Sequence, residues 1–292
     1  MRTVLITGTS TGIGEECTRY LAEREWTVYA GVRRAEDGAR LKTTLTGDVR
    51  PVLLDVTNRD QMRSVVEDIG RDVGDAGLQG LVNNAGAAVG GPIEYLTEED
   101  WRWTFDVNFF SAVALTQAAM PLLRAGSGRV VHMGSMAGRI ASPGVAPYAA
   151  SKHALEALAE ASRQELKRAG APVRVALIEP GEIKTPIWDK GEATVQGFEA
   201  NMQGAERERY GWLIEQGRGF VDEGRHKGVP AARVAKAAEH ALTARRPRAR
   251  YLVGPDAKLA GNLIARAPDR VRDALVGMTA RRWEQRGKKL SG

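Results

Sequence analysis

The sequence predicts a doubly wound α/β fold: one domain built on a seven-stranded parallel sheet with helices on both faces. Three observations carry that expectation. Short apolar runs alternate with stretches of helical periodicity, the pattern of a parallel sheet covered on both sides. The first such run, Thr3-Val4-Leu5-Ile6, leads into a glycine-rich turn, Thr7-Gly8-Thr9-Ser10-Thr11-Gly12-Ile13-Gly14, that opens a helix. Much later, Tyr148 and Lys152 stand one helical turn apart, so both side chains leave the same face. A chain of 292 residues is long enough to bury such a sheet.

In chain order, strands are expected at residues 3–7, 27–32, 50–54, 80–83, 128–133, 173–179 and 250–253. Helices are expected at 12–24, 58–73, 97–123 and 148–169, with a further set beyond Pro186. The linkage at 34–46 reads weakly, because Gly38 and Thr43-Thr44 lower helix propensity. Pro121 should kink or stop the helix that contains it. No internal repeat or low-complexity tract interrupts the pattern.

Composition narrows the function classes. The first strand begins within three residues of Met1 and no apolar run approaches a membrane span, so neither a signal peptide nor an anchor is expected. A single cysteine, Cys17, excludes an internal disulfide and fits a reducing, cytoplasmic location; it reads as a buried structural thiol. Four histidines without paired spacing give no metal site, and His132 and His153 read as structural. The net charge of +6 is uneven: residues 245–292 hold 13 Lys/Arg against 4 Asp/Glu, leaving the preceding body net negative. Aromatics are not interleaved with these basic residues, so a nucleic-acid partner is not expected.

The chemistry lies in the two strings. Glycines at a strand-to-helix turn let the backbone approach a pyrophosphate, while the helix N-terminus offers N–H groups and a positive partial charge. Gly8, Ser10, Gly12, Ile13 and Gly14 are therefore cofactor candidates. A Tyr hydroxyl titrates near ~10, and a neighbouring ammonium draws that value down, making Tyr148 a usable acid and base beside Lys152.

Further strings fall in order: Asn83-Asn84-Ala85-Gly86, Asn108 within a helical stretch, Ser135 thirteen residues before Tyr148, and Pro180-Gly181 followed by Thr185. With the spacing G-x-x-x-G-x-G, the chain resembles the short-chain dehydrogenase/reductase family from Met1 to about Thr185, and more loosely through Tyr251-Leu252-Val253-Gly254. Val28-Tyr29-Ala30-Gly31-Val32-Arg33 and Ile178-Glu179-Pro180-Gly181 resemble its hydroxysteroid and retinol dehydrogenase branch. The resemblance implies a Rossmann-type catalytic domain over residues 1–255 that transfers hydride between a nicotinamide cofactor and a small lipophilic alcohol or carbonyl. It implies Tyr148 as proton donor and acceptor, Lys152 also on the nicotinamide ribose, Ser135 on the substrate oxygen, and Asn108 on a water that relays protons to Lys152. It places Asp55 and Val56 at the adenine, Asn84, Ala85 and Gly86 along the adenosine ribose, and Pro180, Ile183 and Thr185 at the nicotinamide. Glu182 departs from the small, aromatic or apolar residue usual there, and is expected to turn to solvent.

NADP(H) is expected over NAD(H). An NAD-preferring site places a carboxylate at the end of the second strand; here stands Val32, followed by Arg33 and Arg34, whose guanidinium groups suit a 2′-phosphate. Glu36 and Asp37 partly offset that attraction. Residues 186–228, glycine-rich with scattered aromatics, are expected to form a mobile substrate lid. Residues 256–292 are expected to form a basic helical extension, its face Val271, Ala274, Leu275 and Met278 lying on the protein's own body or on a partner subunit; docking to an anionic membrane is the alternative. The helix at 148–169 suits a homodimer or homotetramer. Rival functions are reduction of a 3-oxoacyl thioester on a carrier protein and a dinucleotide-binding sensor or scaffold without turnover.

Overall fold

The computed structural model describes residues 2–291. Its strands are β1 (Arg2–Ile6), β2 (Trp26–Val32), β3 (Val49–Leu53), β4 (Gly80–Asn83), β5 (Arg129–Met133), β6 (Arg174–Pro180), β7 (Ile183–Lys184), β8 (Val229–Pro230) and β9 (Arg250–Val253). Seven of them form one parallel sheet in the order β3-β2-β1-β4-β5-β6-β9. The strand order reverses between β1 and β4, where open sheets of this kind bind ligands at the strands' carboxyl ends. The remaining two, β7 and β8, make a small separate parallel pair that the sequence pattern did not reveal.

Alternation along each strand sorts side chains between two cores. Val4 and Ile6 face α1 (Gly12–Ala22), α2 (Ala35–Thr44) and α9 (Ala232–Thr243) through Cys17, Leu21, Leu41 and Val234. Leu5 faces the opposite side, with Met62 and Ile69 of α3 (Arg59–Val73), then Leu115 and Leu155. Burial pushes the Cys17 thiol up to about 12, so it is inert.

The weak linkage at 34–46 is a ten-residue helix, α2, because burial of Leu41 and contact of Gly38 with Pro51 outweigh local propensity. The helix expected at 97–123 is broken. It runs as α4 (Glu98–Phe105), a π turn over Asp106–Phe110, and α5 (Ser111–Ala125). Pro121 does not stop it, since α5 continues through Ala125, a full turn beyond the proline. Next comes α6 (Ala146–Arg168), which carries Tyr148 and Lys152.

The segment expected to form a glycine-loosened substrate lid is helical. It folds as α7 (Ile187–Asn201) and α8 (Gly204–Lys227), followed by α9 (Ala232–Thr243), α10 (Pro255–Asn262) and α11 (Asp269–Ser291). Its glycines serve close packing: a side chain at Gly219 would strike the Trp283 carbonyl of α11. Phe220 packs edge-on against Trp188 and tilted against Trp283, with centroids 5.2 and 4.8 Å away. Arg282 pairs with Glu223 at 2.8 Å, and Arg286 with Asp222, so part of the C-terminal basic charge neutralises the lid's own acids. The extension thus packs on α8, through Ala280, Trp283 and Gly287. The face expected to lie on the body is turned outward, with Val271 49% and Met278 60% exposed. No helix among the described residues is long and apolar enough to cross a membrane.

Candidate active site

Most site residues sit just past the carboxyl end of a strand or on α6, and Asn108 sits in the π turn. At the end of β1, Gly8 has φ +67° and lies so near Ala85 that a side chain there would meet its Cα at 2.8 Å. Gly14 closes the turn, since a Cβ would sit 2.2 Å from the Gly8 carbonyl. Asn84, past β4, donates its side-chain amide to the carbonyls of Thr7 (2.9 Å) and Gly8 (3.0 Å). Thr7 Oγ1 accepts from the N–H groups of Asn84 and Ala85. Asn84 thus holds the two loops together. At the start of α1, Thr11 makes no side-chain cap, so the helix N–H groups remain open to an anion. Ser10, Gly12 and Ile13 are half-buried along this turn, and Gly12 faces Thr185 across the cleft. The close backbone approach and uncapped helix fit a dinucleotide pyrophosphate.

At the end of β2, Val32 is buried and both arginines are exposed. They differ in their engagements. Arg34 is held by Asp37 at 3.0 Å, whereas Arg33 has no ion-pair or hydrogen-bond partner among the described residues. A third arginine, unmarked by any spacing, reaches the same place: Arg40 of α2 donates to the Ser10 carbonyl at 2.5 Å and pairs with Glu15 at 2.7 Å. Asp55 accepts from the Thr57 N–H at 2.8 Å and its hydroxyl at 2.7 Å; these bonds, with Arg33 nearby, hold its carboxyl below the usual range. Val56 is buried beside it.

The catalytic candidates meet near Gly86. A side chain there would lie 3.4 Å from Asn108 Oδ1 and 3.7 Å from Lys152 Nζ. Asn108, in the π turn, accepts from the Ala87 N–H at 2.8 Å, donates to the Ala87 carbonyl at 2.8 Å, and donates to Ser151 Oγ at 2.9 Å. Both side-chain N–H groups of Asn108 therefore have protein acceptors. π turns commonly occur where a side chain must be re-aimed. Lys152 is buried and donates to the Met133 carbonyl at 2.8 Å, and burial pulls it down to about 8. Its ammonium lies 5.6 Å from the centre of the Tyr148 ring.

The expected lowering of Tyr148 by Lys152 is not what governs the phenol in this structure. Burial raises it, and the neighbouring Ser135 hydroxyl pulls it partly back. Ser135 also accepts from the Ala137 N–H at 3.1 Å, which fixes it at the start of a tight turn. His132 hydrogen-bonds Asn83 at 3.2 Å; burial first, and then the Lys152 charge, push it down to about 4, so it is neutral. His153 is exposed, its ring against the Ala149 carbonyl.

The structure adds a buried group that the sequence did not mark. Tyr148, Lys152 and Glu156 recur at helical spacing, and Glu156 meets Glu179, the residue before Pro180. Arg250 lies 2.9 Å from Glu156 and 3.4 Å from Glu179, while Arg139 lies 3.7 Å from Glu179. Glu179 is fully buried; burial first, then Glu156, push its carboxyl up. The group joins α6, the Ser135 turn, β6 and β9. Beyond it, Pro180 ends β6, Ile183 is buried in β7, and Thr185 is half-buried. Glu182 does not turn fully to solvent. It is half-buried, and burial followed by Glu223 and Asp256 pushes it up to about 7.

Comparison with known proteins gives one consistent pattern. The sequence pattern of the family described as short chain dehydrogenase matches residues 2–196. The chain is 36% identical over 281 residues to an NADPH-dependent 3-dehydrocapnine reductase of Ornithobacterium rhinotracheale, covering 94% of this chain and 96% of that one. It is 33% identical to retinol dehydrogenase 5 of Mus musculus, covering 94% and 87%. A crystal structure of a short-chain dehydrogenase from Streptomyces avermitilis superimposes with a TM-score of 0.73 at 27% identity, covering 94% of this chain and 95% of that one.

Proposed function

This chain belongs to the short-chain dehydrogenase family, and on that premise we propose that it is an NADP(H)-dependent oxidoreductase interconverting a lipophilic secondary alcohol and its carbonyl. The observation that carries the reading is the meeting of Asn108, Lys152 and the Ala85–Gly86 backbone beside the glycine turn, with Ser135 on Tyr148. Gly8, Gly12, Gly14 and the N-terminus of α1 would hold the pyrophosphate, and Pro180, Ile183 and Thr185 the nicotinamide. The bound cofactor supplies or takes up a hydride. Ser135 donates a hydrogen bond to the substrate oxygen, and Tyr148 gives that oxygen a proton in reduction and takes it in oxidation. Lys152, one helical turn from Tyr148, would hold the nicotinamide ribose, and Ser135 favours the phenolate form of Tyr148 against the burial that opposes it.

Two observations support the finer parts. Arg33, exposed and unpaired among the described residues, is available to a 2′-phosphate, and Val32 offers no carboxylate to repel one. Ile93, in the loop between β4 and α4, and Ile187, at the start of α7, are exposed, and α7 and α8 pack on apolar Val195, Met202 and Ile214, which suits a lipophilic substrate. Exposed Trp103 and Phe110, on α4 and the π turn, suit a homodimer.

The test is oxidation of NADPH with retinal, a steroid ketone and 3-dehydrocapnine as first substrates. Tyr148→Phe should lower turnover by ~10²–10⁴-fold while NADPH still binds. Turnover within about tenfold of the unaltered protein would overturn the assignment of Tyr148.

A further inference from the structure

The segment assigned above to the nicotinamide is held in place by a residue of the C-terminal extension. Asp256, in the first turn of α10, does not cap its own helix; the N-cap is Gly254. Its carboxylate turns back toward β6 instead, and Oδ2 accepts from the Glu182 N–H at 2.6 Å. On the other side of the same residue, the Glu182 carbonyl accepts from the Val229 N–H at 2.9 Å. Both polar groups of this main-chain residue are therefore engaged, one residue before Ile183. The Ile183 carbonyl in turn accepts from Trp188 Nε1 at 2.8 Å.

Two glycines make room for the carboxylate. A Cβ on Gly181 would lie 1.9 Å from Asp256 Oδ2, and one on Gly254 would lie 2.3 Å from Oδ1. Gly254 also has φ +115°, a backbone conformation that L side chains rarely adopt. The Gly181 N–H donates to the Val253 carbonyl at 2.9 Å, which ties the same turn to the end of β9. The Asp256 side chain thus fills the space left by two missing side chains, and it satisfies an N–H that no strand neighbour takes.

We propose that Asp256 is a positioning residue that sets the conformation of Pro180–Thr185 and through it the hold on the nicotinamide half of the cofactor, without touching the cofactor itself. The proposal rests on the dinucleotide reading above. A carboxylate acceptor is suited to this place because charge-assisted hydrogen bonds are stronger than neutral ones, and because the N-terminal turn of α10 favours a negative charge.

The test compares binding of NADPH with binding of adenosine 2′,5′-bisphosphate, which lacks the nicotinamide, by calorimetry on the full-length protein. Asp256→Ala should weaken NADPH about tenfold, as expected for one lost hydrogen bond to a charged group, and leave the bisphosphate unchanged. Asp256→Asn, whose amide oxygen still accepts, should restore most of the loss. Gly181→Ala should reproduce the Ala variant's pattern by displacing the carboxylate. Equal weakening of both ligands, or no change in either, would overturn the proposal while leaving the dinucleotide reading intact. Failure of the unaltered protein to bind either ligand would overturn both.

Discussion

Asn108 and Ser151 are joined by a 2.9 Å hydrogen bond that ties the π turn to the helix carrying Tyr148 and Lys152. Ser151 passes the tie onward by donating to the Tyr148 carbonyl at 2.7 Å. With the two bonds to Ala87, Asn108 links the loop beyond β4, the π turn and α6 in a buried setting. Asn108→Ala would leave the Ala87 N–H and carbonyl unpaired. It should cost about 2 kcal/mol of stability in urea unfolding and lower turnover more than NADPH affinity.

The cofactor preference is expected to reside in Arg33. Arg33→Ala should weaken NADPH binding by about tenfold and leave NADH unchanged, because only the former brings a 2′-phosphate. Val32→Asp should reverse the preference by placing a carboxylate where that phosphate would lie. Arg34→Ala should matter less, since Arg34 is already paired with Asp37. Equal Michaelis constants for the two cofactors in the unaltered protein would refute this reading.

Glu179 should make stability fall with rising pH. Its carboxyl is raised in the folded protein from an ordinary 4.5 to about 7. Below the ordinary value both folded and unfolded chains hold the proton. Between the two values the unfolded chain releases it while the folded chain keeps it, so stability declines as pH rises through that window. Glu179→Gln should flatten the decline in unfolding experiments across those values. An unchanged slope would show that Glu179 does not hold the proton.

Trp283 is expected to keep the lid ordered. Trp283→Ala removes a buried ring that packs on Phe220 and should cost about 3 kcal/mol locally. Limited proteolysis should then cut within residues 204–227 while the sheet domain stays resistant. The Michaelis constant for carbonyl substrates should rise more than that for NADPH. Unaltered protease resistance would refute a clamping role for α11.

The sequence by itself determined the sheet. All seven main strands were legible to within one residue at each end, because parallel strands buried on both faces must be short apolar runs, and such runs are local patterns. The glycine turn, Tyr148 and Lys152 were legible for the same reason: their chemistry needs fixed spacing along one segment. Tertiary structure decided everything that depends on contact between distant segments. Gly38 argued against α2, yet burial of Leu41 won. The continuous periodicity of 97–123 hid a π turn whose cause is the pull of Ala87 on Asn108, 21 residues away. The lid's glycines read as loosening because local propensity treats a missing side chain as freedom, whereas at Gly219 it admits the α11 backbone. Asp256, Glu156 and Glu179 carried no spacing signal, since their partners lie up to 94 residues away: Asp256 meets Glu182, and Arg250 meets Glu156. Hydrogen bonds and ion pairs act over a few ångströms in space, and only the folded chain decides which residues come that close.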